Sequence, residues 1–236
     1  MTLGRSAGPG QYPWVTALLY TRGGVSLPLC GAALVSRSHL LTAGHCTETL
    51  GGFTLSRARL GQVDVSGPVQ RPGLEVGILW VARHPRYLRQ PLAQADIAVV
   101  KLVAPVRFSD HVRPICLVAG EEGEQEKLEV AGWGRTEHGP SSSSLQHISL
   151  QLVSGRQCQE EYRRAVEEGR LGAAARGLQI LASMVCARGR EGADSCSGDS
   201  GAPLMARGGQ GSWVLRGLVS FGTQECDSSL PGVYTR

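Results

Sequence analysis

The sequence predicts an all-β fold built from antiparallel barrels, and three observations carry that prediction. Short apolar segments recur along the whole chain. Between them stand turn-forming residues, with 32 Gly and 12 Pro among 236 residues. Helical periodicity is confined to one stretch. Short strands at regular spacing with turn signals between them are the pattern of sheets that close on themselves.

The strands are expected at residues 14–20, 32–35, 98–102, 128–133, 148–153 and 213–221, each an apolar or β-branched run bounded by polar or turn residues. Residues 159–169 read as a helix, because Tyr162 and Val166 stand four apart with charges around them. Residues 170–177 follow as a loop rich in Gly, Ala and Arg, and 141–144 is a short serine loop. No internal repeat is visible. A chain of 236 residues can bury a sizeable core as one domain.

The formal net charge of +4 is modest and spread out, which argues against a nucleic-acid partner. No apolar run is long enough to span a bilayer, and no secretory signal stands at the start. The sequence contains no asparagine and so no N-glycosylation acceptor. Seven cysteines read as a disulfide framework with one left over. Spacing leaves the connectivity open. Zinc is the alternative, but the cysteines lack the paired short spacings of a zinc site.

The chemistry concentrates in Asp194-Ser195-Cys196-Ser197-Gly198-Asp199-Ser200-Gly201-Ala202-Pro203. Ser200 is a candidate nucleophile between Gly198 and Gly201, which let the backbone turn sharply. The N–H groups of Gly198 and Ser200 can face a developing oxyanion. A serine needs a base. Among six histidines, His45 stands out at the end of Leu40-Leu41-Thr42-Ala43-Gly44-His45-Cys46. An orienting acid is best sought in Ala95-Asp96-Ile97-Ala98, where Asp96 opens a β-branched strand. His45, Asp96 and Ser200 together make a Ser-His-Asp set in the chain order His, Asp, Ser.

At this point the chain resembles the chymotrypsin/trypsin family of serine proteases. The resemblance rests on Gly10-Gln11-Tyr12-Pro13-Trp14, Thr42-Ala43-Gly44-His45-Cys46, Asp96-Ile97-Ala98, Arg113-Pro114-Ile115-Cys116-Leu117, Gly132-Trp133-Gly134, the serine stretch, and Pro231-Gly232-Val233-Tyr234. Within the family the chain looks most like the arthropod clip-domain proteases of extracellular cascades. The resemblance implies two six-stranded antiparallel β-barrels, residues 1–110 and 111–236, with the active site between them. It implies a secreted endopeptidase that cleaves after Arg or Lys, with Asp194 at the base of the specificity pocket and Ser195 beside it. Gly222 and Gly232 would leave the pocket walls open, and Ser220, Phe221 and Gly222 would pair with the substrate backbone. Asp199 would pair with the chain's activating α-amine. The implied disulfides are Cys30–Cys46, Cys158–Cys186 and Cys196–Cys226, leaving Cys116 to bond an upstream propeptide. The implied partners are protein substrates, zymogens among them, and protein inhibitors, with no cofactor. The second reading is a non-catalytic homologue acting as a binding or regulatory cofactor.

Four departures from the family pattern are visible. The segment between Cys158 and Cys186 is longer than in simple digestive trypsins, so residues 170–177 are a candidate contact for macromolecular partners. Gln62 stands where calcium-binding members carry an acid, and residues 63–72 add only Asp64, so no metal site is expected. Met1-Thr2-Leu3-Gly4 stands where active members carry Ile-Val-Gly-Gly, so the amine partner of Asp199 is expected to be missing and Leu3 to crowd the turn. The family's last strand and closing C-terminal helix are likewise expected to be absent.

Overall fold

The computed structural model describes residues 1–89, 93–117, 127–172, 175–189, 198–208, 211–222 and 230–236. A two-residue strand, β1 (Arg5–Ser6), opens the chain. Six strands then close into a barrel: β2 (Val15–Arg22), β3 (Val25–Ser36), β4 (His39–Thr42), β5 (Thr54–Leu60), β6 (Leu74–Arg83) and β7 (Ala98–Leu102). Their order is β2-β3-β4-β7-β6-β5, with β2 pairing back onto β5. β8 (Cys116–Leu117) follows, then β9 (Lys127–Gly132), β10 (Gln146–Val153), β11 (Met184–Gly189), β12 (Pro203–Arg207), β13 (Trp213–Phe221) and β14 (Gly232–Thr235). These six run β10-β11-β14-β13-β12-β9, and the β9–β10 pairing closes the second barrel. β1 pairs antiparallel with β10, and β8 runs parallel to β13. This is the two-barrel architecture the sequence led us to expect, with one correction: the last strand is not missing, because β14 pairs with β11 and β13 and completes the second barrel.

The most continuously apolar of the expected strands, β2, is buried on both faces. Val15 to Tyr20 in β2 are all buried, because one face fills the barrel and the other meets its surroundings. β5 and β6 were not foreseen. Arg57 and Arg59 interrupt the apolar pattern of β5, and Leu79, Trp80 and Val81 in β6 are exposed on both faces. The helix α1 spans Gly155–Glu167, starting four residues before the predicted stretch. Ser154 caps it, its hydroxyl accepting from the Gln157 N–H at 3.2 Å. Cys158, Tyr162 and Ala165 form its buried face.

The two barrels share a core. Trp14 donates its indole N–H to Met205 Sδ at 2.7 Å, and Trp14, Trp133, Met205 and Leu218 belong to one buried cluster with the first barrel's interior. Gly31 of β3 also lies against the Ala202 backbone: a Cβ on it would stand 2.9 Å from Ala202 Cα. The chain segments that carry the predicted site residues therefore meet across this seam.

Candidate active site

His45 sits in a 3-10 turn, Gly44–Thr47, that directly follows β4. Asp96 stands just ahead of β7, the neighbour of β4. Ala95 enters the left-handed region at φ +47°, which is costly for a residue with a Cβ. That turn sends the fully buried Asp96 carboxylate toward His45. Asp96 Oδ2 lies 2.8 Å from His45 Nδ1, and Oδ1 accepts the His45 backbone N–H at 2.9 Å. A carboxylate only accepts, so Nδ1 carries a proton, and it is Nε2 that bears the lone pair in the neutral ring. Ser220 adds a third hydrogen bond to the same carboxylate, its hydroxyl donating to Oδ2 at 2.5 Å.

Ser200 reaches the cleft by a backbone contact. Its carbonyl accepts the N–H of Gly31 at 2.8 Å, and Gly31 follows Cys30, which is bonded to Cys46 beside His45. No hydrogen bond joins Ser200 Oγ to His45, a spacing common before substrate binds. Gly201 has φ +75°, and a Cβ there would stand 2.2 Å from Thr42 Oγ1 and 2.5 Å from Gly31 O. Only glycine fits. Gly198 is also left-handed, at φ +90°. The N–H groups of Gly198 and Ser200 have no acceptor among the described residues, whereas those of Gly201 and Ala202 are bonded to Val219 O and Asp199 O.

Asp199 is fully buried. Its Oδ1 accepts the Gly134 N–H at 2.8 Å, and its Oδ2 pairs with the α-amine of Met1 at 3.0 Å. The Met1 amine also donates to the Arg135 carbonyl. The expectation that Asp199 would lack an amine partner is corrected by this contact. The reason is chemical: the pair uses a main-chain amine and asks nothing of the side chain that follows it. The unbranched Met1 side chain packs among Leu128, Val130 and Ile148 of the second barrel's core. Leu3 takes φ +54°, so the turn that favours glycine is made by leucine at a conformational cost.

Among the positions expected to face substrate, Gly222 is exposed and lies against Gly232, a Cβ on it standing 3.9 Å from Gly232 Cα. Phe221 packs edge-on to Tyr162 of α1 with ring centroids 6.2 Å apart. Asp194, Ser195, Cys196 and Cys226 lie outside the described residues. Disulfides join Cys30 to Cys46 and Cys158 to Cys186. Cys116 is a free, exposed thiol on β8. Cys30, His45 and Cys46 also cluster as possible metal ligands, but both sulfurs are tied up in their disulfide, leaving no thiolate there.

Sequence reading missed two contributors to the site. Ser220 was foreseen for its backbone, but its side chain is spent on Asp96. Tyr87 was not singled out at all, yet its ring lies against Gly44 beside Asp96. Only the Pro85 turn before it marks the segment locally, and the contact spans residues far apart in the chain.

The sequence matches the family model described as Trypsin over residues 2–236. It is 33% identical over 242 residues to the CLIP domain-containing serine protease B15 of Anopheles gambiae, covering 96% of this chain and 63% of that protein. It is 35% identical over 245 residues to the serine proteinase stubble of Drosophila melanogaster, covering 99% of this chain and 29% of that protein. It is 32% identical over 245 residues to the proclotting enzyme of Tachypleus tridentatus, covering 99% of this chain and 62% of that protein. The chain thus spans less than two thirds of the length of each of these relatives. With its double barrel and a match across nearly every residue, the chain belongs to the trypsin family of serine proteases.

Proposed function

We propose that this chain is the protease domain of a secreted, trypsin-like serine endopeptidase that cleaves after Arg or Lys. The observation that carries the reading is the buried Asp96 carboxylate holding His45 by both its ring and its backbone, which leaves Nε2, 3.8 Å from Cys46 Sγ, to act as base. Ser200 Oγ attacks the scissile carbonyl, and His45 takes its proton and returns it to the leaving amine. Asp96 fixes the tautomer and stabilises the imidazolium. The N–H groups of Gly198 and Ser200, unpaired among the described residues, receive the oxyanion. The Asp199 ion pair holds the loop between them in shape.

The specificity rests on Asp194. A carboxylate at a pocket base is costly without a cationic partner, and a guanidinium meets it with two hydrogen bonds. Gly222 and Gly232 leave room for the long side chain, Ser195 offers a neutral hydrogen bond, and Ser220 to Gly222 extend the sheet to the substrate backbone. We assign residues 1–110 and 111–236 to the two halves of this domain, a third disulfide to Cys196–Cys226, and a propeptide link to Cys116. The relatives' names include a proclotting enzyme and phenoloxidase-activating factors. They support limited proteolysis of protein zymogens in an extracellular cascade, under the control of protein inhibitors.

A fluorophosphonate probe tests the reading. Labelling of the wild-type protein and its loss in Ser200→Ala are expected. A peptide library should show cleavage after Arg and Lys. Absence of labelling would favour the non-catalytic homologue, and cleavage confined to aromatic residues would sink the role of Asp194.

A further inference from the structure

Glu48 ends the turn that carries His45, its N–H donating to the His45 carbonyl at 3.2 Å. Its side chain leaves that turn and enters a different segment. Glu48 Oε1 accepts the Tyr87 hydroxyl at 3.0 Å, and Oε2 pairs with Arg89 Nη1 at 2.5 Å. Arg83 Nη1 lies 3.8 Å from Oε1, and its guanidinium stands 6.0 Å from the centre of the Tyr87 ring. One carboxylate thus gathers three side chains from residues 83–89, and it is itself only 18% exposed.

The same segment is anchored beside the other catalytic partner. His84 N–H donates to Ile97 O at 3.0 Å, one residue after Asp96, and Tyr87 N–H donates to His84 O at 2.9 Å. The Tyr87 ring then covers Gly44: a methyl group on Gly44 would stand 2.8 Å from the ring and 3.2 Å from Asp96 Oδ1. The contacts run from His45 through Glu48 to Tyr87, whose ring lies over Gly44 beside Asp96, and Asp96 in turn holds His45. Burial, the Glu48 hydrogen bond and the charge of Asp96 together push the Tyr87 hydroxyl well above the ordinary tyrosine range. That hydroxyl therefore remains a donor to Glu48 throughout the working pH range.

We infer that Glu48 and Tyr87 are positioning residues, Glu48 tethering the Tyr87 ring as a cover that keeps water from the Asp96–His45 hydrogen bond. The physical reason is dielectric. A charge-assisted hydrogen bond weakens as water reaches the carboxylate. Asp96 is covered on one side by Ser220. On the side of Gly44, the tyrosine ring is the cover the contacts identify. The inference rests on the endopeptidase reading for its catalytic consequence, but not for the shielding itself.

The test uses the full chain and two readouts. Proton NMR measures how fast the His45 ring N–H facing Asp96 exchanges with water, which requires no turnover. Steady-state kinetics on a small arginine amide separates kcat from KM. Relative to wild type, Tyr87→Ala should speed exchange and lower kcat by about tenfold, with KM within about twofold. Tyr87→Phe and Glu48→Ala, which keep the ring but lose the tether, should each do so by about threefold. Glu48→Gln, which still accepts the Tyr87 hydroxyl, should stay within about twofold of wild type. Glu48→Ala also carries the comparison if Tyr87→Ala does not fold.

Exchange and kcat in a folded Tyr87→Ala matching wild type would overturn the shield. Equal effects of Glu48→Gln and Glu48→Ala, with none from Tyr87→Phe, would overturn the tether and assign Glu48's influence to its charge. A wild-type protein that resists the fluorophosphonate would instead defeat the endopeptidase reading, while the exchange rates still decide whether Tyr87 shields the pair.

Discussion

The two barrels contribute to the cleft by different physical means. On the first, His45 and Asp96 stand next to adjacent strands, and side-chain hydrogen bonds set their relation. On the second, Ser200 is placed by backbone shape: left-handed glycines on either side, a carbonyl bonded to Gly31, and the buried ion pair of Asp199. A site built from side-chain hydrogen bonds is broken by changing a functional group. A site built from backbone shape is broken by adding an atom. Each half should thus be vulnerable to a kind of substitution that the other tolerates.

The largest effect is expected from Asp96→Asn, which keeps the shape of the first half and removes its charge. An amide can donate to Nδ1 and so favour the wrong histidine tautomer. In this family the corresponding change lowers kcat by on the order of 10⁴-fold, and we expect a similar loss here with little change in unfolding free energy. Turnover of an arginine amide and urea unfolding together check the split. An Asp96→Asn protein that lost several kcal/mol of stability would mean that the pair is also structural.

Gly201→Ala is the opposite experiment. The added methyl would stand 2.2 Å from Thr42 Oγ1 and 2.5 Å from Gly31 O, at φ +75°. A loss of about 2–4 kcal/mol in urea unfolding is expected, from overpacking and backbone strain together. Labelling at Ser200 should fall with it. A stable, fully reactive Gly201→Ala would show that the seam between Gly31 and Ala202 yields more readily than its contacts indicate.

The smallest expected effect lies at His147, where the N-terminal segment meets the second barrel. His147 Nδ1 is 3.0 Å from the Tyr12 hydroxyl, which also bonds Glu129, and Arg5 pairs opposite it in the sheet. Burial holds His147 below the ordinary histidine value, with Arg5 adding to the effect and Glu129 opposing it. The unfolded chain therefore binds this proton at a higher pH than the folded one. The stability linked to neutral His147 is fully present above the ordinary histidine range and is lost as pH falls toward the folded value. His147→Gln should lose less in melting temperature between pH 7 and pH 5 than wild type, by about 1–2 °C. Equal pH profiles would place the acid sensitivity elsewhere.

Legibility in the sequence followed the same division. β2 was readable because burial makes it almost continuously apolar, and β7, β9, β10 and β13 because apolar or β-branched residues recur at their buried positions. β5 and β6 were not, because Arg59 is drawn under a loop to bond Val65 O, Gly67 O and Glu75, and β6 exposes Leu79 and Trp80. Neither feature obeys a period of two. In the site, Gly198 and Gly201 were legible because only glycine makes such turns. Tyr87 and the hydroxyl of Ser220 were not, because a tyrosine or serine in isolation gives no sign of a carboxylate many residues away.

By itself, the sequence determined the barrel class, the family and the residue types of the cleft. Those depend on local patterning and on motifs whose residues are adjacent in the chain. Only the tertiary structure decided that the amine at Met1 reaches Asp199, that Ser220 turns its hydroxyl to Asp96, and that Glu48 holds Tyr87 over Gly44. Each joins residues 39 to 198 positions apart in the chain. Such pairings are settled when the barrels close and pack together, because only then do the buried charges and hydroxyls have to find partners.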